Sequence, residues 1–255
     1  MSLKSILFER LLPYIPGRLI LLVNVFSRDK IVINDTSLIV ISKLRSHHVL
    51  RSRVALYRKG LLFRGQQLGE SYHLDKIKFL DDDLIVDVGA NVGDLNLYLP
   101  TAVRYIGLEP SPEEFNLLKL NVSKDSKIFN NAAIDVNRQV SFYINSEQAD
   151  SSIFEPTSHS KIINIQGVRL DSLIKEKVKL LKIDAEGGEL EVLIGCENLF
   201  SLITYIAIDC GFEKGKNRES TFIPCLKFLQ SHGFELLEAG QNFRFLFKNL
   251  TSIVP

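Results

Sequence analysis

The apolar residues of this chain fall into two kinds of run. Runs rich in strand formers, one of them carrying Asp87, occupy residues 84–88, 105–108, 127–134, 180–183 and 203–208. Between them, apolar residues recur three and four apart, as in Phe115, Leu118 and Val122, in Leu190, Leu193 and Ile194, and over residues 71–80 and 221–232. Unbroken strands imply a parallel sheet covered on both faces, and the periodic segments imply the helices that cover it. The predicted class is therefore α/β, mostly parallel, with helices on both faces of the sheet. Residues 234–237 and 243–247 flank Ala239, Gly240, Gln241 and Asn242, and predict a C-terminal antiparallel hairpin. Residues 140–144 and 162–168 predict two further strands around a polar loop, 145–160, that contains Ser151 and Ser152. Loops of that length within compact domains are often functional.

Residues 1–60 follow a different pattern and are expected to form an accessory extension to a domain spanning 61–255. Residues 3–26 suggest a helix broken near Pro13 and Pro16, and 31–33 and 38–41 suggest a hairpin around Asn34 and Asp35. Arg45, His47, His48, Arg51, Arg53, Arg58 and Lys59 form a basic cluster. It reads as a solvated face, with a partner or anionic-substrate surface as the alternative. Adjacent histidines point in different directions on a strand or a helix, so they are assigned no metal.

The chemistry concentrates at strand ends. After the first core strand comes Asp87-Val88-Gly89-Ala90-Asn91-Val92-Gly93-Asp94. Its glycines permit a sharp turn and bring main-chain N–H groups close to a ligand. The spacing does not match the G-x-G-x-x-G of dinucleotide sites. It is closer to the acid-x-Gly-x-Gly-x-Gly turn of S-adenosylmethionine-dependent methyltransferases, with Asn91 at the middle glycine. Acids beside the turn suit a cationic sulfonium and an ammonium, and would repel a pyrophosphate. The next strand ends in Glu109, followed by Pro110 and Ser111. A carboxylate about 20 residues beyond the turn can accept both ribose hydroxyls of a nucleoside. Ser111, Pro112 and Glu114 have the order of a helix cap. Asn131, Ala132 and Ala133 end the third strand, and either line an adenine pocket or merely close the strand. The fourth ends in Asp184, with Glu186 and Glu189 around Gly187 and Gly188, and the fifth ends in Asp209. Ligands of open α/β sheets bind beyond the carboxyl ends of the strands.

Composition narrows the class. Of 255 residues, 45% are hydrophobic and 24% charged, which suits a globular protein with a large core. A net charge of +1 gives no electrostatic footprint for nucleic acid. Cys196, Cys210 and Cys225 are odd in number and lack a C-x-x-C pair, so a reducing, cytoplasmic setting is expected. The apolar residues near the start are interrupted by Pro13, Pro16 and Arg18, unlike a signal peptide. The run 19–26 falls short of the roughly 20 residues a membrane span requires. A helix packed on the domain is expected, with peripheral membrane contact as the alternative.

Four segments together resemble the FkbM family of methyltransferases: Asp87 to Gly93, Gly107-Leu108-Glu109-Pro110, Leu170-Asp171-Ser172-Leu173, and Leu181 to Glu189 with its K-I-D-x-E-G-x-E core. The resemblance covers roughly residues 65–250. It implies a Rossmann-like domain, S-adenosylmethionine, and methylation of a hydroxyl on a sugar, glycan or natural product. The sequence departs from the family where Asp209 and Cys210 stand in place of an expected Glu. The cofactor-binding candidates are Asp87, Gly89, Ala90, Asn91, Gly93, Asp94, Glu109, Pro110, Ser111, Asn131, Ala132, Ala133 and Asp184. The catalytic candidates are Asp184, Glu186 and Asp209, because a sugar hydroxyl benefits from a general base and close like charges raise one another's pKa. Clustered carboxylates also suit Mg²⁺ or Ca²⁺, but no metal ligand set is assigned. Other functions left open are a non-catalytic S-adenosylmethionine-binding scaffold and an RNA methyltransferase. The acceptor and the oligomeric state are left open.

Overall fold

The computed structural model describes residues 24, 27–33, 37–145, 151–240 and 242–251. Apart from Asn24, the expected N-terminal helix lies outside them. The described chain begins with a three-stranded antiparallel sheet, β1 (Lys30–Ile33), β2 (Leu38–Ile41) and β3 (Ser46–Val49), so the predicted hairpin gains a third strand. A 3-10 turn, Arg51–Tyr57, leads into α1 (Leu61–Ser71).

The main sheet has seven strands. Five are parallel: β4 (Leu84–Val88), β5 (Arg104–Leu108), β6 (Lys127–Phe129), β10 (Val178–Ile183) and β11 (Ile203–Asp209). The remaining two, β14 (Phe234–Ala239) and β15 (Arg244–Asn249), form the predicted hairpin and join antiparallel beside β11. The spatial order is β14-β15-β11-β10-β4-β5-β6. From β4 the chain runs outward through β5 and β6, then crosses back to β10 on the other side. That reversal leaves a crevice at the carboxyl end of β4.

Side-chain alternation explains the two covering layers. Val86, Val88, Leu181 and Ile183 face a cluster completed by Val192 and Leu193 on α4 (Glu189–Gly195) and by Cys225 and Leu229 on α5 (Phe222–Ser231). Ile85, Leu180 and Ala207 face the opposite cluster with Leu95, Leu99, Tyr72 and Leu118. Leu118 belongs to α2 (Pro112–Asn121). Each fully buried Leu or Ile contributes about 1.5–3 kcal/mol relative to exposure.

A smaller sheet stands between β6 and β10 in sequence. It contains β7 (Ala132–Ala133), β8 (Arg138–Ile144) and β9 (Lys161–Val168) in the order β7-β9-β8. The run 127–134 is thus two strands in two sheets, because Asn130 and Asn131 interrupt it and bond elsewhere: Asn130 donates to the Glu109 and Pro110 carbonyls, Asn131 to Gln166. A short hairpin, β12 (Phe212–Lys214) and β13 (Glu219–Ser220), follows β11.

Two helices differ from expectation. The helix predicted over 71–80 ends at Ser71; Leu74–Lys76 is a 3-10 turn. Gly65 and Gly69 have poor helix propensity, yet they form the packed face of α1. An added Cβ at Gly65 would come 2.6 Å from the Leu97 carbonyl, and one at Gly69 would come 2.2 Å from the Tyr98 ring. The sequence predicts Asp171 as the cap of a helix starting at Ser172; it sits instead inside a single turn, α3 (Leu170–Leu173), gripped by Arg169 Nε and Nη2 at 2.9 and 2.6 Å.

Candidate functional site

A cavity of about 320 Å³ opens at the carboxyl ends of β4, β5, β10 and β11. Its floor is the turn after β4. Gly89 adopts φ +69° with its Cα against the turn after β10, and a Cβ there would lie 1.9 Å from the Asp184 carbonyl. Only glycine allows the two turns to meet. Asn91 has φ +50°, which explains an asparagine at a middle-glycine position: Asn enters the left-handed region more readily than other side chains.

Glu109 closes one side. Its Oε2 accepts from the Asn91 amide at 2.7 Å and its Oε1 from the Ser111 amide at 2.8 Å. Burial, and next the Glu114 carboxylate, push its pKa up to about 8 against those two N–H bonds. Glu114 accepts in turn from the Ser111 hydroxyl. The predicted cap therefore exists, but its hydroxyl serves a carboxylate instead of the helix backbone.

The centre is a chain of charges. Lys182 lies directly across from Asp87 in the β4–β10 register. Its Nζ is 3.1 Å from Asp87 Oδ1 and 3.7 Å from Asp184 Oδ2, and donates to the Gly89 carbonyl at 2.9 Å. Burial disfavours the ammonium, but Asp87 and Asp184 outweigh it and raise its pKa, so it stays charged. Tyr105 donates to Asp87 Oδ2 and Tyr72 to Asp184 Oδ2, each at 2.7 Å. Burial would raise the Asp184 carboxyl; Lys182, Arg244 and Tyr72 hold it below its usual value. Asp209 receives Arg244 Nε at 2.7 Å, yet burial and the Asp184 charge raise it above the usual carboxylate range. Arg244 also donates to Ser71 Oγ at 2.7 Å and stacks 4.4 Å over Tyr72, tying β15 to α1.

A second charge cluster sits behind the turn. Asp94 Oδ1 lies 2.9 Å from His47 Nε2 and accepts from the Tyr57 hydroxyl at 2.6 Å, while its Oδ2 accepts from Arg64 Nε at 2.7 Å. Burial would raise this carboxyl; His47, Arg64 and Tyr57 together hold it well below the carboxylate range. Asn121 Nδ2 ties the Val92 and His48 carbonyls at 2.7 and 2.8 Å, and Arg45 donates to the Asn96 carbonyl at 2.7 Å. The N-terminal sheet is thus bonded to the turn at Val92, Asp94 and Asn96.

Residues 87–236 match the family model described as the methyltransferase FkbM domain. That is more than half of the chain. It belongs to the FkbM methyltransferase family. The chain is also 26% identical over 143 residues to the hexuronic acid methyltransferase AglP of Haloferax volcanii, a match covering 51% of this chain and 56% of that protein. Among solved structures it resembles the methyltransferase FkbM of Methylobacillus flagellatus KT. The TM-score is 0.51 and the identity 16%, covering 91% of this chain and 59% of that one, which shows the shared fold. The chain spans little more than half the length of either protein.

Within this FkbM domain, the cavity is lined by Asp87, Gly89, Ala90, Asn91, Asp94, Glu109, Pro110, Ser111, Asn131, Ala132, Ala133, Asp184, Glu186 and Asp209. Gly93 is the one singled-out residue that does not line it; it sits behind the turn, where a Cβ would meet Leu118 at 3.0 Å. Glu186 holds the left-handed region at φ +49° and its carbonyl accepts from Ser152 Oγ at 2.7 Å, which draws the β8–β9 connection onto the turn after β10. Arg53, from the basic cluster, also lines the cavity, as do four residues the sequence did not single out: Tyr57 and Arg64 before the domain's first core strand, Lys182, and Arg244. Lys182 was findable, since it stands two residues before Asp184 on a strand and shares its face. Nothing local marks Arg244. Glu189 is absent from the lining and fully buried. It accepts from the Ala185 and Gly187 amides at 3.1 and 3.0 Å and from Thr221 Oγ1 at 2.8 Å, so it braces the turn carrying Asp184 and Glu186. No described helix is long and apolar enough to cross a membrane.

Proposed function

We propose that this chain transfers a methyl group from S-adenosylmethionine to a hydroxyl of a sugar, glycan or similarly hydroxylated small molecule. The observation that carries the reading is the single cavity in which Glu109, the Asn91 turn and the Asp184–Asp209 pair face one another at the switch point of the sheet. The name of the hexuronic acid methyltransferase relative supports a sugar acceptor. The three buried thiols, Cys196, Cys210 and Cys225, are free, as suits a reducing cytoplasm.

The residues fit that cofactor. Asp87 and Asp209 pair with Lys182 and Arg244, so the Asp184 charge is the excess that favours a cationic ligand. Glu109 is held by two amides in a fixed orientation, where its carboxyl can exchange hydrogen bonds with ribose hydroxyls, and Asn131, Ala132 and Ala133 offer a small-residue wall for a purine. Bound there, the cofactor supplies an activated methyl on a cationic sulfur. Most of the rate then comes from holding the acceptor oxygen in line. Asp209, raised by burial and by Asp184, is the better proton acceptor near neutral pH. Asp184 remains ionised and orients the acceptor.

The test pairs calorimetry of S-adenosylhomocysteine with methyl transfer from labelled cofactor to a panel of glycans, lipids and hydroxylated metabolites. Binding plus label in a base-stable methyl ether is the expected result. Label released by mild alkali would identify a carboxyl acceptor and overturn the hydroxyl assignment. Binding with no transfer to any acceptor in the panel would leave a cofactor-binding scaffold.

A further inference from the structure

S-adenosylmethionine ends in an ammonium and a carboxylate. The Asp184 charge that favours its cationic groups repels that carboxylate, so another group in the cavity has to receive it. The amides of the glycine turn are already spent within the protein. Gly89 and Ala90 both donate to the Leu108 carbonyl at 3.0 Å, and Gly93 donates to the Ala90 carbonyl at 2.8 Å. Asn91 donates to Glu109 at 2.7 Å and Val92 to the Asn91 side chain at 2.9 Å. A cationic side chain is the remaining kind of partner.

Among the described residues, Arg53, Arg64, Lys182 and Arg244 are the cations that line the cavity. Arg64 is held by Asp94, Lys182 by Asp87 and Asp184, and Arg244 by Asp209. Turning any of these three to a ligand would strip a buried carboxylate of its cation, which is strongly unfavourable. Arg53 is half-buried on the 3-10 turn that precedes the domain. A guanidinium has five N–H donors in a planar fork, so it can grip a carboxylate with two and keep its other contacts.

The turn that carries Arg53 is seated on the loop after β4. Leu50, whose carbonyl accepts from the Arg53 amide at 3.0 Å, packs against Val92 and Leu117, and Tyr57 bonds Asp94. The Arg53 charge reaches both sides of the cavity. Burial raises the Asp184 carboxyl, and Arg53 adds to Lys182, Arg244 and Tyr72 in lowering it. Burial and Asp94 raise the Tyr57 hydroxyl, and Arg53 acts with Arg64 in the opposite sense. The guanidinium thus stands between the turn after β10 and the Asp94 cluster. Strand order says which part of the ligand arrives there. Glu109 follows β5 and Ala132 and Ala133 follow β6, all to one side of β4. With ribose and purine on that side, the methionine tail runs back over β4 toward β10.

We infer that Arg53 binds the carboxylate of the cofactor's methionine end. The N-terminal extension then completes the cofactor site, from a residue that lies outside the matched segment 87–236. This rests on the S-adenosylmethionine reading above and adds to it the partner of one charged group.

Titration calorimetry is run with S-adenosylhomocysteine and with its decarboxylated analogue, which keeps the thioether and the ammonium. The wild type is expected to bind S-adenosylhomocysteine about 10–100-fold more tightly, as a charge-assisted pair gives. Arg53→Gln should lose that preference by weakening S-adenosylhomocysteine alone. Arg53→Lys keeps the charge without the fork and should fall between, and it decides the case if Arg53→Gln does not fold. Equal affinity of the wild type for the two ligands overturns the assignment without any variant. So does an unchanged preference in both variants. Equal weakening of both ligands would make Arg53 a support of the pocket wall and overturns it as well. These three outcomes leave the cofactor reading standing. A wild type that binds neither ligand overturns that reading and this inference together.

Discussion

The two halves of the cavity treat their carboxylates differently. On the glycine-turn side, Asp87 is 1% exposed and bonded to Lys182 and Tyr105, and Asp94 is held by three partners. On the β10–β11 side, Asp184 keeps 24% of its side chain exposed, and Asp209, 10% exposed, shares one guanidinium while burial and then its neighbour's charge raise it. A fully partnered buried acid is architecture: its charge fixes the backbone around it and has little left to offer a ligand. An acid with a like-charged neighbour competing for the same cations can change partner or protonation during a reaction. The same residue type thus builds one half of the site and can serve chemistry in the other.

The sharpest way to test that contrast is at Asp184. Asp184→Asn keeps the shape and the bond from Tyr72 but removes the charge. Losing the charge that orients the acceptor should lower turnover by about 10²-fold while S-adenosylhomocysteine affinity stays within a few-fold. Normal turnover would place Asp184 with the architectural acids. Loss of cofactor binding instead would put it beside the sulfonium or the ammonium.

Asp94→Ala should break the other half. It strands His47, Tyr57 and Arg64 around a hole and removes one of the three ties between the N-terminal sheet and the turn. Removing one partner of a buried charged cluster costs about 3–5 kcal/mol, so urea unfolding should show a loss of that size. A loss below about 1 kcal/mol would mean that the clamp is decorative and that residues 30–57 fold apart from the site. The same clamp predicts that a chain starting near Gly60, even if folded, binds cofactor less well than the whole.

Glu109 lies between the two classes, and its effect is smaller. Glu109→Gln should weaken S-adenosylhomocysteine by about 1–3 kcal/mol, the cost of mismatched buried partners. It should also alter the pH dependence of stability. The folded pKa, about 8, exceeds the ordinary carboxyl value of 4.5, so between these pH values the folded state binds more protons than the unfolded. Stability from this group is complete below about pH 4.5 and declines as pH rises toward 8. Thermal melts across pH 5 to 8 should therefore be flatter in Glu109→Gln than in the wild type. An identical slope would show that the two amide bonds keep Glu109 ionised throughout.

What was legible locally was the part that short-range rules decide. An unbroken apolar strand, a glycine turn and a terminal acid are written within about ten residues, and their repetition at Asp87, Glu109, Asp184 and Asp209 is enough to place a parallel sheet and the edge where a ligand meets it. The bend at Gly89 was legible too, though not that the carbonyl of Asp184 would press against it. α1 was misplaced because Gly65 and Gly69 carry opposite meanings alone and in contact: they are breakers by propensity, but the close approach of residues 97 and 98 needs their missing side chains. Tertiary structure alone decided which acids are partnered. Lys182 faces Asp87 through strand register, Arg244 reaches Asp209 from the antiparallel hairpin, and His47 and Tyr57 meet Asp94 across 47 and 37 residues of chain. Charge pairing at such separations depends on where strands land in the sheet, and no pattern within a single segment encodes it.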